Sequence, residues 1–572
     1  MKYKNWKVSE TAPVCDPALL AAGCTPLLAA ILSLRGMTDP EEVRRFLCGG
    51  SELMESPTLL DGMTDAVQRI SRAIATDEHV AVYGDYDVDG ITAGCLLTHY
   101  LRSRGLPCEL YIPDRLGEGY GLNTAAIDRL KERGVTLIVT VDCGVTNIEE
   151  CAYAASLGID MVVTDHHECR RNETGDEILL PEAEAVVDPK RSGINAPGQN
   201  LAGVGVAFKL VCAMEGNAQT VLERYGDLVA AGTVADVMPL LGENRFMVQK
   251  GLRMIANRTG RPGFTALLEE AGAAERKCTS STIGYTLAPR INAAGRLGET
   301  HLAIKLLEAD DPLTARRMAS ELCERNTLRQ SLEKEIWAEA ADMLRDQPVD
   351  RPIVLASEKW HPGVIGIVAS RLTDTYSVPA IMICIDGDSG KGSCRSTGSF
   401  NLYEALDRCG DCLVGFGGHA MAAGITVKPE CIDTLRERLG EFYQAHPDRS
   451  VPRLEAEVRI EDPALLTEEC VESLDLLEPC GNGNPRPLMY IEGAVLESVT
   501  PIGNRKHLRL RISAFSQSYD CVFFNQTQEE LGCRPDRRVD LVFAPQINEF
   551  RGKRDVQLVI TDMRPHRDAT LS

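Results

Sequence analysis

Six aspartates and two adjacent histidines, Asp85, Asp87, Asp89, Asp142, Asp165, Asp236 and His166–His167, have the types and spacing of a divalent-metal centre. Carboxylates forced together repel, so they either take up protons or share a cation. Two aspartates one residue apart on a turn can each serve a different ion, and a central carboxylate such as Asp142 can bridge both. Ions roughly 3.5–4 Å apart activate a water and stabilise both the attacking and the leaving oxygen in phosphoryl hydrolysis. Mostly oxygen ligands with an imidazole favour Mn²⁺ or Mg²⁺ over a thiolate-held zinc. Taken singly, each aspartate is explained as well by a helix cap or a solvated turn, and only the set as a whole implies a metal.

The elements that must position this set are four short apolar runs. Residues 80–83 lead into Asp85, Asp87 and Asp89; 137–141 stop at Asp142; 161–164 stop at Asp165, His166 and His167; 228–235 deliver Asp236. Runs this short read as fully buried strands, so the fourth is expected to be a strand like the others. Ligands of open α/β sheets collect at the carboxyl ends of parallel strands, which lets residues far apart in sequence converge.

Beyond those runs the chain resembles a known family. GDYDVDG at 84–90, DCG at 142–144, DHH at 165–167, GTVADVMPL at 232–240 and RINAAGR at 290–296 are similar, in order, to the motifs of the DHH phosphoesterases. WHPGVIGIVASR at 360–371, GSCRS at 392–396 and GFGGHAMAAG at 415–424 resemble the DHHA1-type partner domain of the RecJ family, bacterial 5′→3′ exonucleases specific for single-stranded DNA. LEPCGNGNPRP at 477–487 and VQLVITDMRP at 556–565 extend the likeness, which covers nearly the whole chain from about Leu34.

The resemblance implies that Asp87 and Asp142 hold one ion and that Asp89, Asp142, His166 and Asp236 hold the second. His167 would polarise the scissile phosphate; the competing role is a hydrogen bond that holds His166. Many relatives have a His four residues before the first liganding Asp, where this chain has Tyr83. A neutral phenol is a poor ligand, which leaves the first ion to water, Asp85 or another group, so Asp85 joins His167 among the candidate catalytic residues.

Three segments could grip a nucleic-acid strand. Arg290, Asn292 and Arg296 surround small residues, so that a phosphate can approach both guanidiniums. Gly417, Gly418 and His419 form a Gly-rich turn expected to open into a helix start suited to an anion, with Arg371, Arg395 and Ser396 joining it. After about Arg453 short alternating strands at 488–499, 507–513, 519–525, 539–547 and 556–563 predict an OB-like barrel, whose basic residues Arg505, Lys506, Arg509, Arg511, Arg551, Lys553 and Arg554 and whose Phe515, Phe523, Phe524 and Phe550 could bind and stack a strand. Alternation places half of those Phe in the core.

At 572 residues with 44% hydrophobic content the chain should bury several cores. The expected order is an N-terminal helical segment at 1–60, with a buried helical hairpin near 18–34; an α/β parallel-sheet DHH domain at 61–302; a long linker helix at 303–348; a smaller α/β DHHA1-type domain at 349–448; and a C-terminal OB-like β-barrel at 449–572. A narrow cleft between two lobes would admit one strand and exclude a duplex. The net charge of −22 lowers the prior for nucleic acid, although screening at roughly 8 Å lets a local basic groove act despite a distant acidic surface. Twenty scattered Cys with a single CxxC, at 409–412, lack the ligands of a structural zinc and imply reduced thiols in the cytoplasm. No run is apolar and long enough to span a bilayer.

The expected function is stepwise hydrolysis of single-stranded DNA with two Mn²⁺ or Mg²⁺ ions, in repair and recombination. The candidate protein partners are a single-strand-binding protein and a helicase, and the chain is expected to act as a monomer. Two competitors are a phosphoesterase for small nucleotides, which does not need the terminal barrel, and a non-catalytic DNA-binding scaffold, which gains nothing from mutually repulsive carboxylates.

Overall fold

The computed structural model describes residues 5–9, 15–115, 117–119, 121–172, 174–193, 195–345, 349–398, 400–446, 453–550 and 552–566, the side chain of Phe550 excepted. Arg551 lies outside the described residues. Two units are present: one comprises 51–450 with 481–483, the other 1–50, 451–480 and 484–572.

In the larger unit, five parallel strands stand in the order Cys108–Tyr111, Val80–Gly84, Leu137–Val141, Asp160–Thr164, Ala185–Val187. Every residue of the two strands Val80–Gly84 and Leu137–Val141 is buried, because helices cover both sheet faces. Alternation divides them between two cores. Val80, Val82, Leu137, Val139 and Val162 pack against the helices Val88–Ser103, Gly203–Glu215 and Ala218–Ala235. Ala81, Tyr83, Ile138, Met161 and Val163 pack against Thr124–Glu132 and Ile148–Ser156.

The expected fourth strand is instead the C-terminal half of the helix Ala218–Ala235. Asn217 caps it by accepting from Thr220 N–H at 3.1 Å, which fixes the helix start well upstream of the apolar run. Asp236 therefore reaches the sheet edge from a helix end. The expected single linker helix is also divided: Thr300–Glu308 ends before Asp311, whose side chain caps the 33-residue helix Pro312–Leu344, about 50 Å long.

The remainder of this unit has its own core and a mixed sheet, ordered Leu413–Gly418, Ala422–Val427, Ser389–Arg395, Ala380–Asp386, Ile353–Ser357. Residues 413–427 form an antiparallel hairpin here, so the expected helix start at Gly417–His419 is absent. Cys409 and Cys412 are both buried free thiols at a short 3₁₀ turn.

The smaller unit is a closed barrel. Its strands run in the order Met489–Ile502, His507–Ala514, Gln517–Phe523, Lys553–Pro565, Arg538–Phe550, and Met489 pairs back with Phe543. The helices Pro17–Ala21 and Pro26–Leu34 belong to this unit, the second lending Leu27, Leu28, Ile31 and Leu32 to the barrel core, while Asn5–Val8 pairs in parallel with Arg453–Ala456. Among the described residues no helix is long and apolar enough to cross a membrane.

Candidate metal centre and anion pocket

Strand register sets the geometry. Gly84, Val141 and Thr164 are aligned at the ends of three adjacent parallel strands, so Asp85, Asp142 and Asp165 leave the sheet along one edge. Asp87 caps the helix Val88–Ser103, accepting from the amides of Asp89 and Gly90 at 2.9 and 3.1 Å. Asp89 is buried and accepts from the amides of Gly203 and Val204, at the start of a second helix, at 2.6 and 2.8 Å. Asp142 takes φ 60°, a left-handed conformation that Asp tolerates better than most side chains. A Cβ on Gly203 would lie 2.5 Å from the Cβ of Asp142, so only glycine lets this helix approach so closely.

The side chains converge. His166 Nε2 lies 3.1 Å from Asp142 Oδ1, 3.6 Å from Asp236 Oδ2 and 3.8 Å from Asp89 Oδ2. Three sets of potential ligand atoms each fall within 4.8 Å: Asp85, Asp87 and Asp142; Asp89, His166 and Asp236; Asp142, His166 and His167. Asp142 is common to the first and third, and His166 to the second and third.

Three buried atoms of this cluster, Asp85 Oδ1, Asp142 Oδ1 and His166 Nε2, have no hydrogen-bond partner. Buried polar groups are ordinarily paired, so three orphans within ligand sets joined through Asp142 fit a cation better than any protein donor. Burial and then the neighbouring carboxylates push the carboxyls upward: Asp85 and Asp142 well above the usual range, Asp89 and Asp236 up to about 7. Burial holds the His166 imidazole below its ordinary value, so it is neutral and able to ligate.

His167 is built differently. Its Nδ1 lies 2.7 Å from Asp165 Oδ1, and Asp165 is itself fixed by the amides of Val145 and His166 at 3.0 and 2.8 Å. Burial opposes the charge on His167, but the bond to Asp165 and the carboxylates of Asp165, Asp236 and Asp89 outweigh it and raise the imidazole to about 9. A hydrogen bond from Asp165 therefore orients His167, whose ring also lies against that of His166 with centroids 4.5 Å apart. Tyr83 is no ligand: its ring is fully buried, stacks on Tyr111 at 5.2 Å, and its hydroxyl donates to Gly121 O at 2.9 Å. Asp85 stands with Asp87 and Asp142 in its stead.

A second feature is cationic. Burial, then Arg115, Arg329 and Arg395, lower the Arg296 guanidinium to about 9, so four arginines crowd together against their mutual repulsion. Arg296 Nη1 donates to Gly363 O at 3.1 Å. Arg115 lies over the Tyr86 ring at 4.8 Å. A Cβ on Gly366, in the first turn of the helix Ile365–Tyr376, would lie 2.7 Å from Ser393 Oγ and 3.3 Å from Arg395 Nη2. Guanidiniums gathered near the positive end of a helix are suited to an anion.

Of the other sequence candidates, Arg290 donates to Thr286 O at 2.7 Å and to Cys323 Sγ at 3.3 Å, and it is near enough to Arg329 to repel it. Asn292 is half-buried in the same helix. Arg371 is drawn away, stacked over the Trp337 ring at 3.9 Å and 4.0 Å from Glu333. Ser396 is buried and donates to Phe400 O at 2.7 Å, so it serves the local turn. Gly417, Gly418 and His419 are exposed along the hairpin. In the barrel unit Arg505, Lys506 and Arg509 are exposed, and Phe524, 52% exposed, meets His507 edge to face at 5.4 Å. Phe523 is buried, Phe515 packs against the core, Arg511 is engaged by Glu497 and Asp520, Lys553 by Asp555 and Arg554 by Glu472. Sequence reasoning missed Arg115, Arg329 and Ser393. Ser393 was readable as the residue two before Arg395 on one strand face.

A carboxylate cluster at the carboxyl edge of a parallel sheet, with an arginine cluster near the helix start of a second α/β module, defines a DHH-type phosphoesterase. The DHH family N-terminal domain matches residues 79–233, the DHHA1 domain 350–445 and the RecJ OB domain 456–562. The chain belongs to the RecJ family. The single-stranded-DNA-specific exonuclease RecJ of Bacillus subtilis (strain 168) is 40% identical over 94% of this chain and 68% of that protein. That of Escherichia coli (strain K12) is 34% identical over 99% of both chains. The crystal structure of RecJ from Thermus thermophilus in complex with Mn²⁺ matches with a TM-score of 0.83 at 29% identity, covering 99% of this chain and 80% of that one, and the same protein with Mg²⁺ gives 0.78.

Because Asp89 and Asp236 keep protons up to about pH 7 without metal, a cation has to displace them. Mn²⁺ affinity should therefore rise steeply from pH 6 to 8 and then level, with proton release that calorimetry in buffers of different ionisation enthalpy will register. A dissociation constant that is flat across this window would contradict metal-for-proton exchange at these two carboxyls.

Proposed function

We propose that this protein is a metal-dependent 5′→3′ exonuclease that hydrolyses single-stranded DNA stepwise to nucleotides, in repair and recombination. The observation that carries the reading is the set of three unpartnered buried atoms, Asp85 Oδ1, Asp142 Oδ1 and His166 Nε2, at the meeting point of shared ligand sets.

Asp85, Asp87 and Asp142 would hold one Mn²⁺ or Mg²⁺ ion, and Asp89, Asp142, His166 and Asp236 the other. Bound there, the ions would supply a water acidified enough to attack at neutral pH and positive charge for the oxygens of the phosphodiester. His167, held by Asp165 and protonated, presents a cationic donor to a phosphate oxygen as negative charge develops on it. Direct attack by water needs no covalent enzyme intermediate, and no side chain is required as nucleophile.

Polarity follows from the anion pocket. Arg115, Arg296 and Arg395, with Ser393 and the start of the helix Ile365–Tyr376, would bind a terminal 5′-phosphate. A fixed terminus sets which diester meets the metal centre. The exposed Arg505, Lys506 and Arg509, with Phe524 and His507, give the barrel a basic and aromatic surface suited to a single strand. Action as a cytoplasmic monomer, on strands exposed by a helicase and covered by a single-strand-binding protein, belongs to the same proposal.

End-labelled single-stranded, blunt duplex and tailed DNA, digested with each ion in turn, tests polarity, strand selectivity and metal dependence together. Single strands should be shortened from the 5′ end, with metal required, and Asp142→Ala should abolish turnover while strand binding persists. Near-normal rates in that variant, or equal rates on blunt duplex, would contradict the reading. The pocket has a separate test in substrates ending in 5′-phosphate or 5′-hydroxyl. A charge-assisted bond contributes about 1.5–3 kcal/mol, so Arg395→Ala should reduce kcat/KM by about 10- to 100-fold on the phosphorylated substrate and far less on the hydroxyl one. Equal losses on both would remove Arg395 from end recognition.

A further inference from the structure

Asp236 is the C-cap residue of the helix Ala218–Ala235, and the backbone beyond it makes a Schellman closure. Val237 N–H donates to Val234 O and Met238 N–H to Thr233 O, both at 3.2 Å. The residue after the cap in this motif must be left-handed, and glycine ordinarily fills it. Here it is a valine at φ 58°. A β-branched side chain in that region is a true outlier, and with Val237 65% exposed, burial offsets little of the strain.

Three residues from far along the chain, within the same compact unit, hold this backbone. Asn482 Nδ2 donates to Val237 O at 3.0 Å, and Leu240 N–H donates to Asn482 O at 2.8 Å. Gly481 lies so close that a Cβ there would sit 2.8 Å from Leu240 Cδ1, and Gly483, at φ 73°, closes the turn against Leu241 and Pro239. The sequence GNG is thus a clasp on the segment that follows a cluster carboxylate.

We propose that Asn482 is a positioning residue for the metal centre: by holding Val237 left-handed it fixes the Asp236 carboxylate opposite His166 Nε2. The proposal rests on the reading of the cluster as a metal site. Without the clasp, Val237 relaxes to an ordinary conformation, the Asp236–Val237 peptide turns, and Asp236 leaves its place in the ligand set. Relief of the strain at Val237 by glycine removes the need for the clasp.

The test is Mn²⁺ binding to the full chain, followed by electron paramagnetic resonance of free Mn²⁺, in Asn482→Ala, Val237→Gly and the double variant. Asn482→Ala should raise the Mn²⁺ dissociation constant about 5- to 30-fold, the equivalent of about 1–2 kcal/mol for a left-handed non-glycine residue. The half-maximal Mn²⁺ for hydrolysis should rise by the same factor, and Val237→Gly added to Asn482→Ala should restore both to within about twofold. A merely structural contact would not be rescued by glycine at Val237. Unchanged Mn²⁺ affinity in Asn482→Ala, or no recovery in the double variant, would overturn the clasp while leaving the metal centre standing. Failure of the unsubstituted protein to bind Mn²⁺ would overturn both.

Discussion

Mutual repulsion among buried carboxylates is the constraint from which the rest of this structure follows. At an effective dielectric near 20, two unit charges 4 Å apart repel by about 4 kcal/mol, and Asp85, Asp87, Asp89, Asp142 and Asp236 crowd into ligand sets at about that spacing. A fold that gathers such groups out of water must supply compensation. It does so in part with backbone amides, which reach Asp87 and Asp89 from helix starts, and with the neutral imidazole of His166. The compensation is incomplete, because three buried atoms remain unpartnered. That deficit is the physical form in which the need for a cation is written into the protein.

The two charged features answer each other. On the parallel-sheet edge an excess of negative charge seeks cations; beside it Arg115, Arg296 and Arg395 crowd with an excess of positive charge. In the proposed function a metal-bound phosphodiester chain with a phosphate terminus would neutralise both. His167 lies at the cluster with its charge held by Asp165, which itself stays ionised, so in the proposed function its proton would serve a phosphate oxygen.

Much of this was legible in the sequence where one local rule governs. The runs at 80–83, 137–141 and 161–164 are continuous and largely apolar because both faces of the sheet are covered, and the aspartates after them had to emerge together. The barrel strands announced themselves by alternation. The carrier of Asp236 was misread because a short run of Leu, Val, Ala and Gly fits a buried helix as well as a buried strand, and the deciding signal, the Asn217 cap, lies eleven residues before the run begins. Arg371 was drawn into the pocket by its motif, yet it lies five residues after Gly366, about 140° around the helix, and so faces Trp337. Arg115 had no legible signal: it sits in a loop, and only tertiary packing brings it to Arg296. The clasp at Asn482 was equally hidden, since a contact across 245 residues has no local signature.

Whether the carboxylates and His166 form one seat for paired cations is tested most directly by a crystal of the protein grown with manganese, with diffraction recorded at the manganese absorption edge. Two anomalous peaks about 4 Å apart are expected, both touching Asp142, one beside Asp85 and Asp87 and the other beside Asp89, His166 and Asp236. An empty cluster, or manganese bound elsewhere without Asp142, would contradict the paired seat.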